Sequence, residues 1–258
     1  MEFGLGEVDY RAIVDIARGR KSVALSEDPA FRRTIEESRS ALESLLADDV
    51  TVYGVTTGFG ENCEAEIDSD RAQQLAQDLY RFHGCGTGDL LTPEQGAAVL
   101  AVRLQSLCHG KSGVRWQVLE QLETLLRHRV IPAIPERGSV GASGDLTPLS
   151  YVAAVVNGNR QVFHDGRLRE TSDVFEDLEI EPVSLQAKES LALMNGTSVM
   201  TALAALALDR AESLVRLSAC VSAAVCDICD GNEAHFDQRL FEAKPHPGQA
   251  RVASIIRD

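Results

Sequence analysis

Residues 135–153, Pro-Glu-Arg-Gly-Ser-Val-Gly-Ala-Ser-Gly-Asp-Leu-Thr-Pro-Leu-Ser-Tyr-Val-Ala, decide how this chain is read. The first half has no hydrophobic period and carries glycine at 138, 141 and 144. From Asp145 onward the stretch turns apolar and opens a helix. One reading is a glycine-rich turn ahead of that helix, able to hold an anion on free N–H groups. As a phosphate loop it is poor, because neither GxxxxGK[ST] nor a GxGxxG following a strand is present. The other reading is covalent. The amide nitrogen of Gly144 attacks the carbonyl carbon of Ala142 and closes a five-membered ring, with no Cβ on Gly144 to obstruct the approach. Loss of water from that adduct, then of the Ser143 hydroxyl as a second water, leaves a methylidene on an imidazolone. None of the twenty side chains is so strong an electrophile.

Two further aperiodic segments are dense in glycine and small polar residues: 53–63 (YGVTTGFGENC) and 83–90 (HGCGTGDL). Long loops set between firm helices tend to carry function. The surroundings are mainly α. Apolar positions at Phe31, Ile35, Leu42, Leu45 and Leu46 give residues 26–47 helical spacing. Thr92-Pro93-Glu94-Gln95 is a capping box with proline at the first helical position, opening a helix to about Cys108. Helices are also expected over 114–129, from Lys188, and over 198–229, with the loop Met194-Asn195-Gly196-Thr197 between the last two. Only Thr51-Val52-Tyr53 and residues 160–163 with 167–168 read as strands, the latter a hairpin turning at Asp165-Gly166. The 249–258 stretch begins an amphipathic helix that stops unfinished, as expected of a piece of a longer protein or one partner of a split one.

The formal charge is −14 over 258 residues. Phosphate backbones and anionic membranes would be repelled, so neither nucleic acid nor membrane is an expected partner. The most apolar stretch, 198–229, is interrupted by Asp209, Arg210, Glu212, Arg216 and Asp227, which suits a buried helix rather than a membrane span. The N-terminus has no basic start followed by an apolar run. Six scattered cysteines (63, 85, 108, 220, 226, 229) therefore read as reduced thiols of a cytoplasmic protein. Cys226 and Cys229 have metal-like spacing, but they sit in a helical run without a second pair, so no metal is expected.

Taken together, PERGSVGASGDLTPLSYVA (135–153), YGVTTGFG (53–60), HGCGTG (83–88), RLQSLCHGKSG (103–113), KESLALMNGT (188–197) and PHPGQARVA (245–253) resemble the histidine, phenylalanine and tyrosine ammonia-lyases and the related aminomutases. The resemblance runs in register along the whole chain. It implies a histidine/phenylalanine ammonia-lyase-like fold, with a cofactor-forming part over 1–197 and the beginning of a helical bundle over 198–258. It also implies that Ala142, Ser143 and Gly144 become 4-methylidene-imidazole-5-one, that Tyr53 is the general base for the β-proton, and that Asn195 steadies electrophile and substrate. Members of this family are about twice as long and tetrameric, with active sites shared among subunits. The expected partners are thus an aromatic amino acid, further copies of the chain, or a missing C-terminal half.

The residues before GCGTG match the pair that reads the substrate side chain. Histidine-specific members usually carry Ser-His, plant phenylalanine enzymes Phe-Leu, and many tyrosine enzymes His-Leu. Phe82-His83 is a hybrid: an apolar wall beside a group able to bond an imidazole nitrogen or a phenol. Tyrosine or another aryl amino acid is favoured, with histidine close behind. Gln105 and Asp78 stand where the family generally has asparagine, which speaks against a standard histidine-degrading enzyme. Three functions follow: an ammonia-lyase, an aminomutase giving a β-amino acid, and a non-catalytic subunit of the same fold.

Overall fold

The computed structural model describes residues 1–4, 6–62, 64, 67 and 69–258. Cys63 lies outside the described residues. Helix makes up 58% of the structure, as the mainly α pattern implied. Strand β1 (Glu2–Phe3) pairs in parallel with β2 (Ala24–Leu25), with helix α1 (Tyr10–Ala17) in between. Helix α2 (Pro29–Ala47) begins at Asp28, whose carboxylate accepts from Ala30 N at 2.8 Å, with proline in its first turn.

After α3 (Ser69–His83) and strand β3 (Thr87–Leu90), α4 (Pro93–Cys108) opens with the capping box that the sequence announced. Thr92 Oγ1 accepts from Gln95 N at 3.3 Å, and Gln95 Oε1 accepts from Thr92 N at 2.8 Å. In α4 the run Ala97–Leu100 and Ala101 is fully buried on every side. A helix apolar all round belongs at the centre of a core. The amphipathic α5 (Trp116–Arg127) lays Val118, Leu119, Leu122, Leu125 and Leu126 against it, the face read from periodicity.

Short strands follow. β4 (Ile131–Pro132) joins a three-stranded sheet, and β5 (Pro135–Arg137) pairs antiparallel with β3. Helix α6 (Leu146–Val156) is the second helix buried all round and packs on α3. The hairpin of β6 (Gln161–His164) and β7 (Arg167–Glu170) turns at Asp165-Gly166, both at positive φ as a type I′ turn requires. Helices α7 (Thr171–Asp177), α8 (Glu189–Met194) and α9 (Ser198–Ile228) come next, then α10 (Gln238–Ala243) and α11 (Pro247–Arg257).

Three expectations are corrected. Beside the expected hairpin, the short strands β1 to β5 also form, each too brief to show an alternating pattern. Thr51-Val52-Tyr53 is not a strand. The Val52 carbonyl accepts from Val55 N and Thr56 N, both at 3.0 Å, and Val52 N donates to Thr56 Oγ1 at 2.9 Å. Those bonds close a turn and leave no edge for a partner strand. The 198–229 helix forms as expected but is not buried throughout. Leu214, Leu217 and Ile228 are exposed, because nothing in the described chain covers that face.

The chain divides into two compact units, Met1–Ala205 and Leu206–Asp258. In the second, α10 and α11 pack on each other beyond the end of α9. No helix among the described residues is long and apolar enough to cross a membrane.

Candidate active site

The segment 141–144 is a tight turn. Gly141 and Gly144 form an isolated antiparallel bridge across it, and Gly141, Ser143 and Gly144 all have positive φ (73°, 57° and 88°). A serine in the left-handed region costs about 1 kcal/mol and persists only where its surroundings over-determine it. The loop after α8 supplies those surroundings. Gly196 N donates to Ser143 O at 3.3 Å, and Asp145 N donates to Gly196 O at 2.7 Å. The two backbones approach so closely that a Cβ on Gly144 would lie 2.1 Å from Gly196 O. This contact brings two of the sequence-selected groups, Ala142-Ser143-Gly144 and Asn195, side by side.

Asp145 fixes the turn from below. Its buried carboxylate accepts from Ser139 Oγ at 3.0 Å with one oxygen and from Met200 N at 2.9 Å with the other. Met200 lies in the first turn of α9, where unbonded N–H groups and the helix dipole favour negative charge. One side chain thus ties the glycine loop to the start of two helices. The sequence marked Asp145 only as a helix start.

Helix α8 carries Asn195 at its C-terminal end and is anchored at both ends by arginines. At its start Glu189, fully buried, accepts from Arg115 Nε at 2.9 Å, Arg115 Nη2 at 2.6 Å and the backbone N of Arg115 and Gln186. At its end Arg103, 3% exposed, donates to the carbonyls of Ala192 and Asn195 and to Ser198 Oγ. Burial brings the Arg103 guanidinium down to about 10, which leaves it a cation at neutral pH. A cation at a helix C-terminus complements the free carbonyls there. The motif at 103–113 contains Arg103 without indicating its role; the signal for it is a lone arginine in the apolar run 97–104 of α4.

Tyr53 is half exposed, accepts from Gly60 N at 3.1 Å through Oη, and meets the edge of Phe59 at 6.4 Å. The turn beside it rests on α8, since a Cβ on Gly54 would come within 2.9 Å of Leu191 Cδ2. Leu191 sits one helical turn before Asn195, whose N–H bonds its carbonyl at 2.9 Å. The Tyr53 loop and the Ser143 turn therefore flank one short helix.

Phe82 and His83 end α3 with their rings edge to face at 5.2 Å. Together with Gly58, Phe59, Ile67 and Leu79 they line an apolar cavity of about 420 Å³. Burial pushes the His83 imidazole below its ordinary value, so it is neutral near pH 7 and offers one donor and one acceptor. The loop after His83 is held by the β3–β5 pairing and by Arg160, which donates to Gly84 O at 2.9 Å while lying over the Tyr151 ring. Asp78 lies at the rim of the cavity, whereas Gln105 turns away to donate to Gly6 O at 2.7 Å.

A family model described as aromatic amino acid lyase matches residues 8–258. A histidine ammonia-lyase of Koribacter versatilis is 36% identical over 243 residues, which is 94% of this chain and 47% of that protein. Among solved structures, a tyrosine aminomutase from Streptomyces globisporus superposes with a TM-score of 0.94 at 34% identity, covering all of this chain and 48% of that one. Histidine ammonia-lyase from Trypanosoma cruzi gives a TM-score of 0.90 at 29% identity over 99% and 49% of the two chains. The chain spans about half the length of the curated relatives it matches. The fold is that of the histidine and phenylalanine ammonia-lyases. With a match over nearly its whole length, and with the glycine turn folded against the Asn195 loop, this chain belongs to the aromatic amino acid lyase family.

Proposed function

We propose that the complete protein eliminates ammonia from an aromatic L-amino acid to give the aryl acrylate, using 4-methylidene-imidazole-5-one closed from Ala142, Ser143 and Gly144. The observation that carries this reading is the turn at 141–144, bent through three positive φ angles and pressed against Gly196. Such a bend suits attack of the Gly144 nitrogen on the Ala142 carbonyl, and the close contact at Gly144 leaves no room for a side chain there. Once formed, the group supplies an electrophile that improves the leaving ability of the substrate's amine and accepts electrons.

The chain's own residues do the rest. Tyr53 takes the β-proton as general base. Asn195 presents a buried Oδ1 with no partner among the described residues, an acceptor free for the substrate's ammonium. Phe82 and His83 receive the ring in the apolar cavity, with tyrosine, phenylalanine and histidine as candidate substrates. The remaining side chains of the site come from the rest of the protein and from neighbouring subunits of a homotetramer. Free thiols at Cys85, Cys108, Cys220, Cys226 and Cys229 suit the cytoplasm.

A second reading, a 2,3-aminomutase, is favoured by the likeness to the Streptomyces globisporus tyrosine aminomutase. Incubating the complete protein with tyrosine, phenylalanine and histidine separates the two: an aryl acrylate marks the lyase, a β-amino acid the mutase. Absence of both from a folded assembly would leave only a non-catalytic subunit. Tyr53→Phe is expected to lower kcat by about 10²–10⁴-fold while the thermal midpoint holds, because among the described residues the lost hydroxyl bonds only an exposed loop N–H. Near-normal turnover in that variant would remove Tyr53 from the mechanism.

A further inference from the structure

We infer that a second cavity, formed by α4, α8 and the first turn of α9, binds a small oxyanion of the phosphate or carboxylate class. Its volume is about 420 Å³, and its lining includes Arg103, Lys111, Ser112, Lys188, Ser198 and Thr201. Three cations converge there and, among the described residues, no aspartate or glutamate lines it, in a chain whose net charge is −14. Like charges gathered without a counter-charge repel one another, and an anion between them relieves that repulsion.

The bonds already made do not supply that counter-charge. Arg103 spends its donors on neutral carbonyls and a hydroxyl, and its Nε, buried with the rest of the side chain, has no partner among the described residues. Neither the Lys111 nor the Lys188 ammonium has a hydrogen bond or ion pair among the described residues. Lys188 is held at the cavity wall by a left-handed backbone, φ +79°, a conformation a lysine rarely adopts. Burial there pushes its ammonium down, the direction that an enclosed anion would reverse. Ser198 and Thr201 add hydroxyl donors at the start of a 31-residue helix. Asn195 and Gly196 form the wall that this cavity shares with the Ser143 turn.

The site does not depend on the proposed lyase chemistry, so its test reads binding. Inorganic phosphate is titrated calorimetrically into the complete protein at low ionic strength, with chloride of equal ionic strength as the blank. Saturable binding of one phosphate per chain is expected. Lys188→Gln should weaken it about tenfold, the effect of removing one charge-assisted bond, and the exposed Lys111→Gln should weaken it in the same direction without risk to the fold. Lys21→Gln, at a surface lysine paired with Asp15, should leave it unchanged. Ser143→Ala should also leave it unchanged, which separates this site from the electrophile. No saturable heat, or phosphate binding that survives the Lys111→Gln and Lys188→Gln substitutions together, overturns the inference.

Discussion

Gly144→Ala is expected to cost on the order of 3–5 kcal/mol of stability and to leave residues 142–144 as ordinary peptide. Two effects add. The backbone at φ +88° is unfavourable for any residue with a Cβ, and that Cβ would sit 2.1 Å from Gly196 O and 2.9 Å from Gly196 Cα. Backbone cannot yield as a flexible side-chain tip does. Gly196 must move, and the bond from Asp145 N to Gly196 O moves with it. Gly141→Ala provides the control. It has nearly the same φ, +73°, but its Cβ meets nothing within 4 Å, so only the conformational part, about 1–2 kcal/mol, should appear. Urea midpoints at an unchanged slope measure both. Equal losses from the two substitutions would show that contact with Gly196 does not hold the turn.

Arg115→Ala should cost about 3–5 kcal/mol, the second large effect, because it strands a carboxylate rather than removing a surface pair. Glu189 has no solvent exposure and, among the described residues, keeps only two backbone donors once the guanidinium is gone. Arg115→Lys should recover part of the loss, since an ammonium restores charge but not the paired Nε and Nη2 bonds. Removing Arg32, solvent-exposed where it pairs with Glu36 and lies over the Trp116 ring, should cost far less. Thermal or urea unfolding of the three variants gives the ranking. If Arg115→Ala matched the Arg32 variant, the buried pair would not be what anchors α8, and Asn195 with it.

Local signals were legible in the sequence wherever a few neighbouring residues decide the outcome. The Thr92–Gln95 capping box, the Asp165-Gly166 turn and the apolar face of α5 all needed only short-range spacing. The β3–β5 pairing was invisible because Thr87–Leu90 is glycine-containing, exposed and without alternation, and its partner lies more than forty residues away. Thr51-Val52-Tyr53 misled for the opposite reason. Its β-branched and aromatic residues suit a strand, but the Thr56 hydroxyl and the Val52 carbonyl close a turn instead. The candidate site divides the same way. Ala142-Ser143-Gly144 and Asn195 were marked by motif, whereas the roles of Asp145, Arg103 and Glu189 arise from contacts between segments distant in the chain.

The most direct measurement is the mass of the proteolytic peptide containing residues 142–144, taken from the folded complete protein. The expected result is a peptide lighter than its sequence by two waters, with no such loss in Ser143→Ala. A full-weight peptide from the native assembly, or a deficit that persists without the Ser143 hydroxyl, would contradict the proposed electrophile.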